Sequence, residues 1–388
     1  MVGRQHPVLY FTRFVPGYRV PVLEALNKRL DDGLVVCAGE PPPGSSLAGL
    51  SRTDRTGYRR HTLKNSWIGG DRLHWQSFDS ALNSYPGSRI VLAEESPRSL
   101  SLPFLMRNAW RRDRGTILWG HFSSNSRPLG SPDLRDRYRV GLARHADAAI
   151  CYTEQVAEDL GSRIGTEKVF VARNTLDTPS LFALHQRLQK EGKKSVRDRL
   201  RLPDKPTILF LGRLIRDKGI YRVLETATVL GKGEVSLVII GDGPERIEME
   251  RQAAELELTV RFLGAVTDLS ESAPFIFASD VLLNPGYLGL SINHAFSLGV
   301  PVIAPAPVGD SRMHSPEWSY IAPGENGILT PSDSAEDLAG GIRTILASQE
   351  QFSAAASEYS RAELGLDRMI DGLEDAIRFV LQERSERN

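Results

Sequence analysis

Residues 207–219 read TILFLGRLIRDKG. Thr207–Leu211 is an apolar run of five, short enough for a strand and apolar enough to be buried on both faces of a parallel sheet. It ends at Gly212, Arg213 follows at once, and Lys218 comes five residues later, before Gly219 and a helical pattern. Open α/β sheets bind ligands at the carboxyl ends of their strands. Arg213 and Lys218 are expected together at that edge. Two fixed cations there suit a leaving diphosphate, on which charge builds as a bond to it breaks. The competing reading is two solvent-facing charges on a loop.

Outward from this stretch, the same strand–helix alternation continues. Leu237–Ile240, Val260–Leu263, Val281–Leu283 and Val302–Ala304 read as strands, with amphipathic helices at Ala335–Ser348 and Asp367–Glu383 and a frayed tail from Ser385. Before it, strands are predicted at Val8–Thr12, Leu34–Cys37, Ser88–Ala93, Thr116–Trp119, Ala148–Tyr152 and Lys168–Ala172, with helical patterns at Val20–Arg29 and Ser101–Arg112. Such alternation predicts parallel sheets covered on both faces. The polar, Lys/Arg-rich segment 181–205 ends in Pro203 and Pro206, which delay the next strand. The reading is therefore two domains, 1–180 and 206–365, joined by 181–205. A last helix in 366–388 is expected to pack back on the N-terminal domain.

At 388 residues, 41% hydrophobic and 25% charged, the chain has the size and composition of two folded domains. No apolar run is long enough to span a membrane. The opening residues read as a strand, not a leader. Cys37 and Cys151 have neither zinc-type nor disulfide-type spacing, which suits a reducing cytosol. Net charge is zero but uneven, with 25 Lys+Arg against 18 Asp+Glu in residues 1–180 and 23 against 30 in the rest. The basic half suits an anionic partner or a membrane surface; a neutral, dipolar surface is the alternative.

Two more segments carry chemistry. Val238–Pro244 (VIIGDGP) runs from a strand into Gly241 and Gly243, then a helix at Arg246–Glu257. Turn geometry alone explains such glycines, though they also let a ligand approach closely. Asp280–Pro301 (DVLLNPGYLGLSINHAFSLGVP) reads as strand, turn and a helix over Gly289–Leu298 closed by Gly299. A helix start beside glycines offers free N–H groups to an anion.

Together these segments resemble glycosyltransferase family 4 of the GT-B fold. The resemblance rests on Gly212-Arg213-Leu214, Lys218-Gly219, Gly241-Asp242-Gly243-Pro244, Phe262-Leu263-Gly264, Asp280-Val281 and Gly299-Val300-Pro301-Val302, in order over Ile208–Leu329. Val169–Asp177 (VFVARNTLD) is similar to the family's strand and Asn-x-x-Asp at the domain junction. The resemblance implies an α/β chain of two Rossmann-like domains with parallel sheets facing across a cleft. It further implies a retaining, metal-independent transfer from a nucleotide-diphosphate sugar, with no cofactor. Arg213 and Lys218 would hold the diphosphate. Gly212, Gly241, Gly243, Gly264, Val266, Gly286, Tyr287, Leu288, Gly289, Leu290 and His294 would line the donor, Gly264–Val266 holding the base through backbone groups.

One departure stands out. The family has two glutamates with seven residues between them in the third segment; here those positions are Gly286 and His294. By resemblance, the first contacts the donor sugar and the second the ribose. His294 retains hydrogen-bonding capacity. Gly286 does not, so the sugar would fall to backbone N–H groups of Tyr287–Leu290. This marks a divergent subgroup.

In the N-terminal half, which should hold the acceptor, His121 ends the strand before it and is a candidate catalytic residue; a structural histidine is the alternative. Phe14–Arg19 (FVPGYR) follows the first strand and is expected to form a loop over the same cleft; Glu94 and Glu95 end another strand, where a carboxylate would orient the acceptor hydroxyl, against the plainer reading of surface glutamates at a strand end. Residues 105–114 (LMRNAWRRDR) mix basic and apolar side chains that suit anionic lipid, against the blander reading of a salt-bridged surface helix. The expected acceptor is a glycan, a lipid-linked sugar or a small molecule, and peripheral membrane contact is expected but no nucleic acid. A sugar-nucleotide epimerase and a non-catalytic nucleotide-sugar-binding scaffold are the rival readings. A dinucleotide oxidoreductase would need G-x-G-x-x-G after its first strand, and Phe11–Gly17 (FTRFVPG) lacks it.

Overall fold

The computed structural model describes residues 6–42, 56–70, 72–122, 134–307 and 314–387. It divides into two compact units. One comprises the described residues up to 177 together with the final helix; the other is Thr178–Gly365.

In the first unit the strands are β1 (Val8–Thr12), β2 (Leu34–Ala38), β3 (Arg59–Thr62), the hairpin β4 (Asn65–Ile68) and β5 (Leu73–Gln76), then β6 (Ile90–Glu94), β7 (Gly115–Gly120), β8 (Ala148–Cys151) and β9 (Val169–Val171). The sheet order is β3-β2-β1-β6-β7-β8-β9, all parallel. β1, β2, β7 and β8 are buried along their whole length, because helices cover both faces. β3 (RRHT) has no apolar pattern and was not predicted; as an edge strand it pairs on one side only and needs none. The final helix, Leu366–Arg387, buries Met369, Ile370, Leu373, Ala376, Ile377 and Val380 in the core shared with β1, β2, β7 and β8. These fall at helical spacing, and each of the larger ones contributes about 1.5–3 kcal/mol on burial. The expected fraying from Ser385 is absent: the helix continues to Arg387, with Arg384 paired to Asp113 and 3.8 Å from Asp147.

The second unit has β10 (Thr207–Leu211), β11 (Ser236–Ile240), β12 (Val260–Gly264), β13 (Val281–Leu283), β14 (Val302–Pro305) and β15 (Gly327–Thr330) in the order β12-β11-β10-β13-β14-β15. All pairs are parallel. The order reverses direction between β10 and β13, so the crevice for a ligand opens at their carboxyl ends. Residues 178–199 form two helices, Thr178–Glu191 and Lys193–Arg199, whose Leu181, Leu188 and Val196 enter this unit's core. Asp280 pins the opposite end of the sheet. Its carboxylate accepts the Thr207 N–H (2.7 Å) and pairs with Lys193 (2.7 Å) and Arg197 (3.4 Å).

Candidate functional site

Four neighbouring strands, β12, β11, β10 and β13, deliver the predicted donor residues at their carboxyl ends. The loops that follow are bonded to one another. Gly212 N–H donates to Ile240 O (2.9 Å), Leu214 N–H to Asp242 O (2.9 Å) and Gly241 N–H to Gly264 O (2.8 Å). This closeness is why glycines stand here. A Cβ on Gly241 would lie 1.8 Å from Gly212 O, and one on Gly243 2.3 Å from Leu214 O. Gly212, Gly241, Gly243 and Gly264 thus form one contiguous backbone surface. The strand register shifts at Ile239/Ile240 so that Ile240 meets Gly264, a bulge of the kind found beside binding sites. Val266 follows, half-buried against the core.

Arg213 leaves the end of β10 exposed, and its side chain makes no ion pair or hydrogen bond among the described residues. Lys218 ends the short helical turn Arg216–Lys218 and folds inward. Its ammonium donates to Tyr287 O (2.5 Å) and sits 4.4 Å over the Tyr287 ring. Burial lowers its pKa to about 8; Arg213 pushes the same way and Glu317 opposes. Arg213 and Lys218 are therefore electrostatic neighbours, and the attraction of Glu317 is too weak to offset the desolvation. A site that is short of negative charge in this way favours an incoming anion.

Gly286 explains the departure from the family pattern. A Cβ there would lie 2.4 Å from Asp217 O, 2.5 Å from Lys218 C and 2.8 Å from Gly219 N. The backbone of the Lys218 turn occupies the space a side chain would need. Gly219, at φ 65°, lets that turn approach. Of the four N–H groups expected to serve a sugar, two are already engaged: Tyr287 donates to Asp217 O (3.1 Å) and Leu288 to His314 Nδ1 (3.2 Å). The Leu288 side chain is buried in the core. Those of Gly289 and Leu290 have no partner among the described residues. The helix is shorter than predicted, Ser291–Ser297, because Leu290 is its cap.

His294 lies on that helix, half-buried. Its ring makes no hydrogen bond among the described residues, and Nδ1 is enclosed. Burial lowers its pKa to about 4, so the ring is neutral at neutral pH.

The sequence reading missed His314, Ser315 and Glu317. His314 and Ser315 clasp the Leu288 peptide: Ser315 N–H and Oγ both donate to Leu288 O, and His314 Nε2 meets Pro305 O at 2.9 Å. Glu317 is buried in the helical turn Pro316–Tyr320. Ser315 before Pro316-Glu317 is a helix-start signature, the one local signal available.

In the first unit, His121 directly follows β7, half-buried, with its ring 4.8 Å from that of Tyr152. Arg19 is buried over Trp119 (4.7 Å) and donates to Tyr152 Oη and Asn174 Oδ1. Neither the Glu94 nor the Glu95 carboxylate is free. Glu94 accepts two bonds from the Arg13 guanidinium (3.1 and 2.7 Å), the Arg13 N–H and the Thr12 hydroxyl; these overcome burial and hold its pKa down at about 2. Glu95 pairs with Arg139 (3.1 Å) and accepts the Phe122 N–H, so it fixes the backbone just past His121.

Comparison with known proteins fits this geometry. The family model "Glycosyl transferases group 1" matches residues 192–363. The alpha-monoglucosyldiacylglycerol synthase of Streptococcus pneumoniae is 31% identical over 174 residues, 42% of this chain and 38% of that protein. The GDP-mannose-dependent alpha-(1-6)-phosphatidylinositol dimannoside mannosyltransferase of Mycobacterium tuberculosis is 26% identical over 284 residues, 69% of this chain and 70% of that protein. For most of the curated relatives it matches, the chain spans about two fifths of their length. Among solved structures, Anabaena Alr3699/HepE in complex with UDP superposes with a TM-score of 0.70 at 17% identity, covering 96% of this chain and 99% of that one. Residues 192–363 thus form a group 1 glycosyl transferase domain, in a chain with the GT-B fold.

Proposed function

We propose that the chain is a retaining glycosyltransferase that moves a sugar from a nucleotide-diphosphate sugar to an acceptor hydroxyl, in assembly of a bacterial polysaccharide or glycoconjugate. The observation that carries this reading is the pair of cations at the β10 edge, Arg213 uncommitted and Lys218 short of negative charge. In the proposed reaction the bond from the anomeric carbon to the phosphate oxygen breaks and the bond to the acceptor oxygen forms on the same face. The acceptor proton passes to the leaving phosphate. Arg213 and Lys218 take up the charge that develops there, which removes the need for a divalent cation. Relatives named as a glucosyltransferase and a mannosyltransferase support the reaction class, and the structural neighbours solved with UDP or UDP-glucose support the donor class. Free, buried Cys37 and Cys151 suit a reducing cytosol. The reading places the acceptor with His121 in the first unit, as a glycan, lipid-linked sugar or small hydroxyl compound.

The test is a thermal-shift panel of UDP- and GDP-sugars, followed by donor turnover for each hit in excess EDTA. The expected result is stabilisation by at least one nucleotide sugar and turnover that survives EDTA. Stabilisation without turnover under any condition supports the scaffold reading; turnover abolished by EDTA and restored by magnesium or manganese overturns the metal-independent mechanism.

The neutral, unbonded His294 ring supports a ribose contact. His294→Ala is expected to weaken the nucleotide and the nucleotide sugar alike, by about 0.5–1.5 kcal/mol for one hydrogen bond and up to about 3 if a buried partner is left unpaired. Calorimetric titration reads this directly, and unchanged nucleotide affinity removes the ribose role.

A further inference from the structure

The hairpin β4–β5 inverts the usual alternation. Ser66 pairs with Trp75 and Ile68 with Leu73, so these four side chains share one face. The other face carries Asn65, Trp67, His74 and Gln76, and that face is turned inward: His74 and Gln76 are buried, and Gln76 Nε2 donates to Thr12 O (2.9 Å) and Asn65 Oδ1 (3.0 Å). With the exceptions of Trp67 inside and Ser66 outside, polar residues therefore point in and apolar residues point out. The segment Arg98–Leu100 runs beside β5, with His74 N–H donating to Arg98 O and Leu100 N–H to His74 O. Ser99, opposite His74, is buried, which turns Leu100 outward beside Trp75. Phe104, in the first turn of the helix Leu102–Arg111, completes the set with its ring 5.4 Å from Trp75. Ile68 and Phe104 are 52% exposed, Leu100 40%, Leu73 and Trp75 36%. Isolated exposed apolar residues are ordinary, but a contiguous set drawn from three segments marks an interaction surface.

Its charge identifies the partner. Residues 64–76 and 97–112 contain six Lys and Arg against one acid, Asp71. Arg107 and Arg111 follow Phe104 at helical spacing, exposed and without an ion pair among the described residues; Arg72, at the hairpin turn, is the same. The ion pairing of residues 105–114 is confined to Asp113, which meets Arg384 at the far end of the segment, and leaves Arg107 and Arg111 free of it among the described residues. We infer that this face docks on an anionic phospholipid bilayer, with the apolar side chains entering the headgroup layer and the arginines meeting lipid phosphates. A second copy of the chain fits poorly, because a two-fold interface would set these unpaired arginines against their own images. The inference uses different residues from the sugar-transfer reading and survives or fails apart from it.

The full chain is tested by flotation with vesicles of phosphatidylcholine alone and with about 30% phosphatidylglycerol. Binding to the anionic vesicles only, released by salt, is expected. The double variants Arg107→Glu with Arg111→Glu, and Ile68→Ser with Phe104→Ser, should each reduce the bound fraction about tenfold or more, with unchanged Tm because all four side chains are exposed. Absence of binding to anionic vesicles, or equal binding by both variants, overturns the inference. So does a dimer in sedimentation that Ile68→Ser with Phe104→Ser dissolves, which would identify the face as a contact between copies.

Discussion

Lys218→Ala is expected to lower kcat/KM about 10²-fold or more, and Arg213→Ala by a similar factor, if each supplies roughly 3 kcal/mol to the charge developing on the leaving diphosphate. The two variants should differ in stability. Arg213 is exposed and uncommitted, so its loss leaves Tm in place. Lys218 bonds Tyr287 O and lies over the Tyr287 ring, so its loss also loosens the loop after β13. Lys218→Arg keeps the charge but not the compact ammonium that fits under this turn, and is expected to recover only part of the rate. Initial rates with the donor from the nucleotide-sugar panel decide the matter. Turnover within about threefold of the unsubstituted protein for both alanine variants would remove the diphosphate role.

Gly286→Glu restores a residue common in the resembling family, yet it is expected to lower activity about 10²-fold rather than raise it. The new Cβ alone would overlap the backbone of Asp217, Lys218 and Gly219, and backbone cannot swing aside as a side chain can. The turn that carries Lys218 must move, and a displacement of about 1 Å at a reacting group costs on the order of 10²-fold. Overpacking should also destabilise the second unit by about 1–3 kcal/mol. Gly286→Ala, which adds only the clashing atom, should show the same sign in both measurements. Initial rates and thermal unfolding test this; a rate gain in Gly286→Glu would show the glycine to be a lesion, and the scaffold reading would gain.

The second unit was largely legible in the sequence because its buried strands are continuous apolar runs. TILFL, LVII and VLL are each short apolar runs that lead into a loop carrying glycine. The glycines Gly241 and Gly243 were legible as a turn, but not the reason for them, which is the neighbouring loop's backbone at Gly212 and Leu214. Other features were not legible, β15 (Gly327–Thr330) among them. β3 is polar, and its strand state comes from pairing with β2 rather than from its own pattern. The hairpin β4–β5 alternates correctly but with its apolar side outward, so periodicity alone does not tell which face is buried. The engagement of the Tyr287 and Leu288 N–H groups depends on Asp217 and His314, 70 and 26 residues away in sequence, and no local signal reports such a partner. The same holds for Glu94, whose carboxylate reads as free to orient an acceptor hydroxyl until Arg13 and Thr12 are seen to hold it.

The proposed diphosphate site centres on Lys218, and the titration of that ammonium tests it most directly. Lysines labelled at Cε are followed by NMR across pH, with the Lys218 signal identified by its absence in Lys218→Arg. Because burial disfavours the charged form, Lys218 should lose its proton around pH 8, well below an ordinary lysine. Binding of the nucleoside diphosphate places negative charge beside it and should raise that value, so affinity should weaken as pH climbs through about 8. A Lys218 signal that titrates like a surface lysine, or one that does not move when the diphosphate binds, would contradict the account.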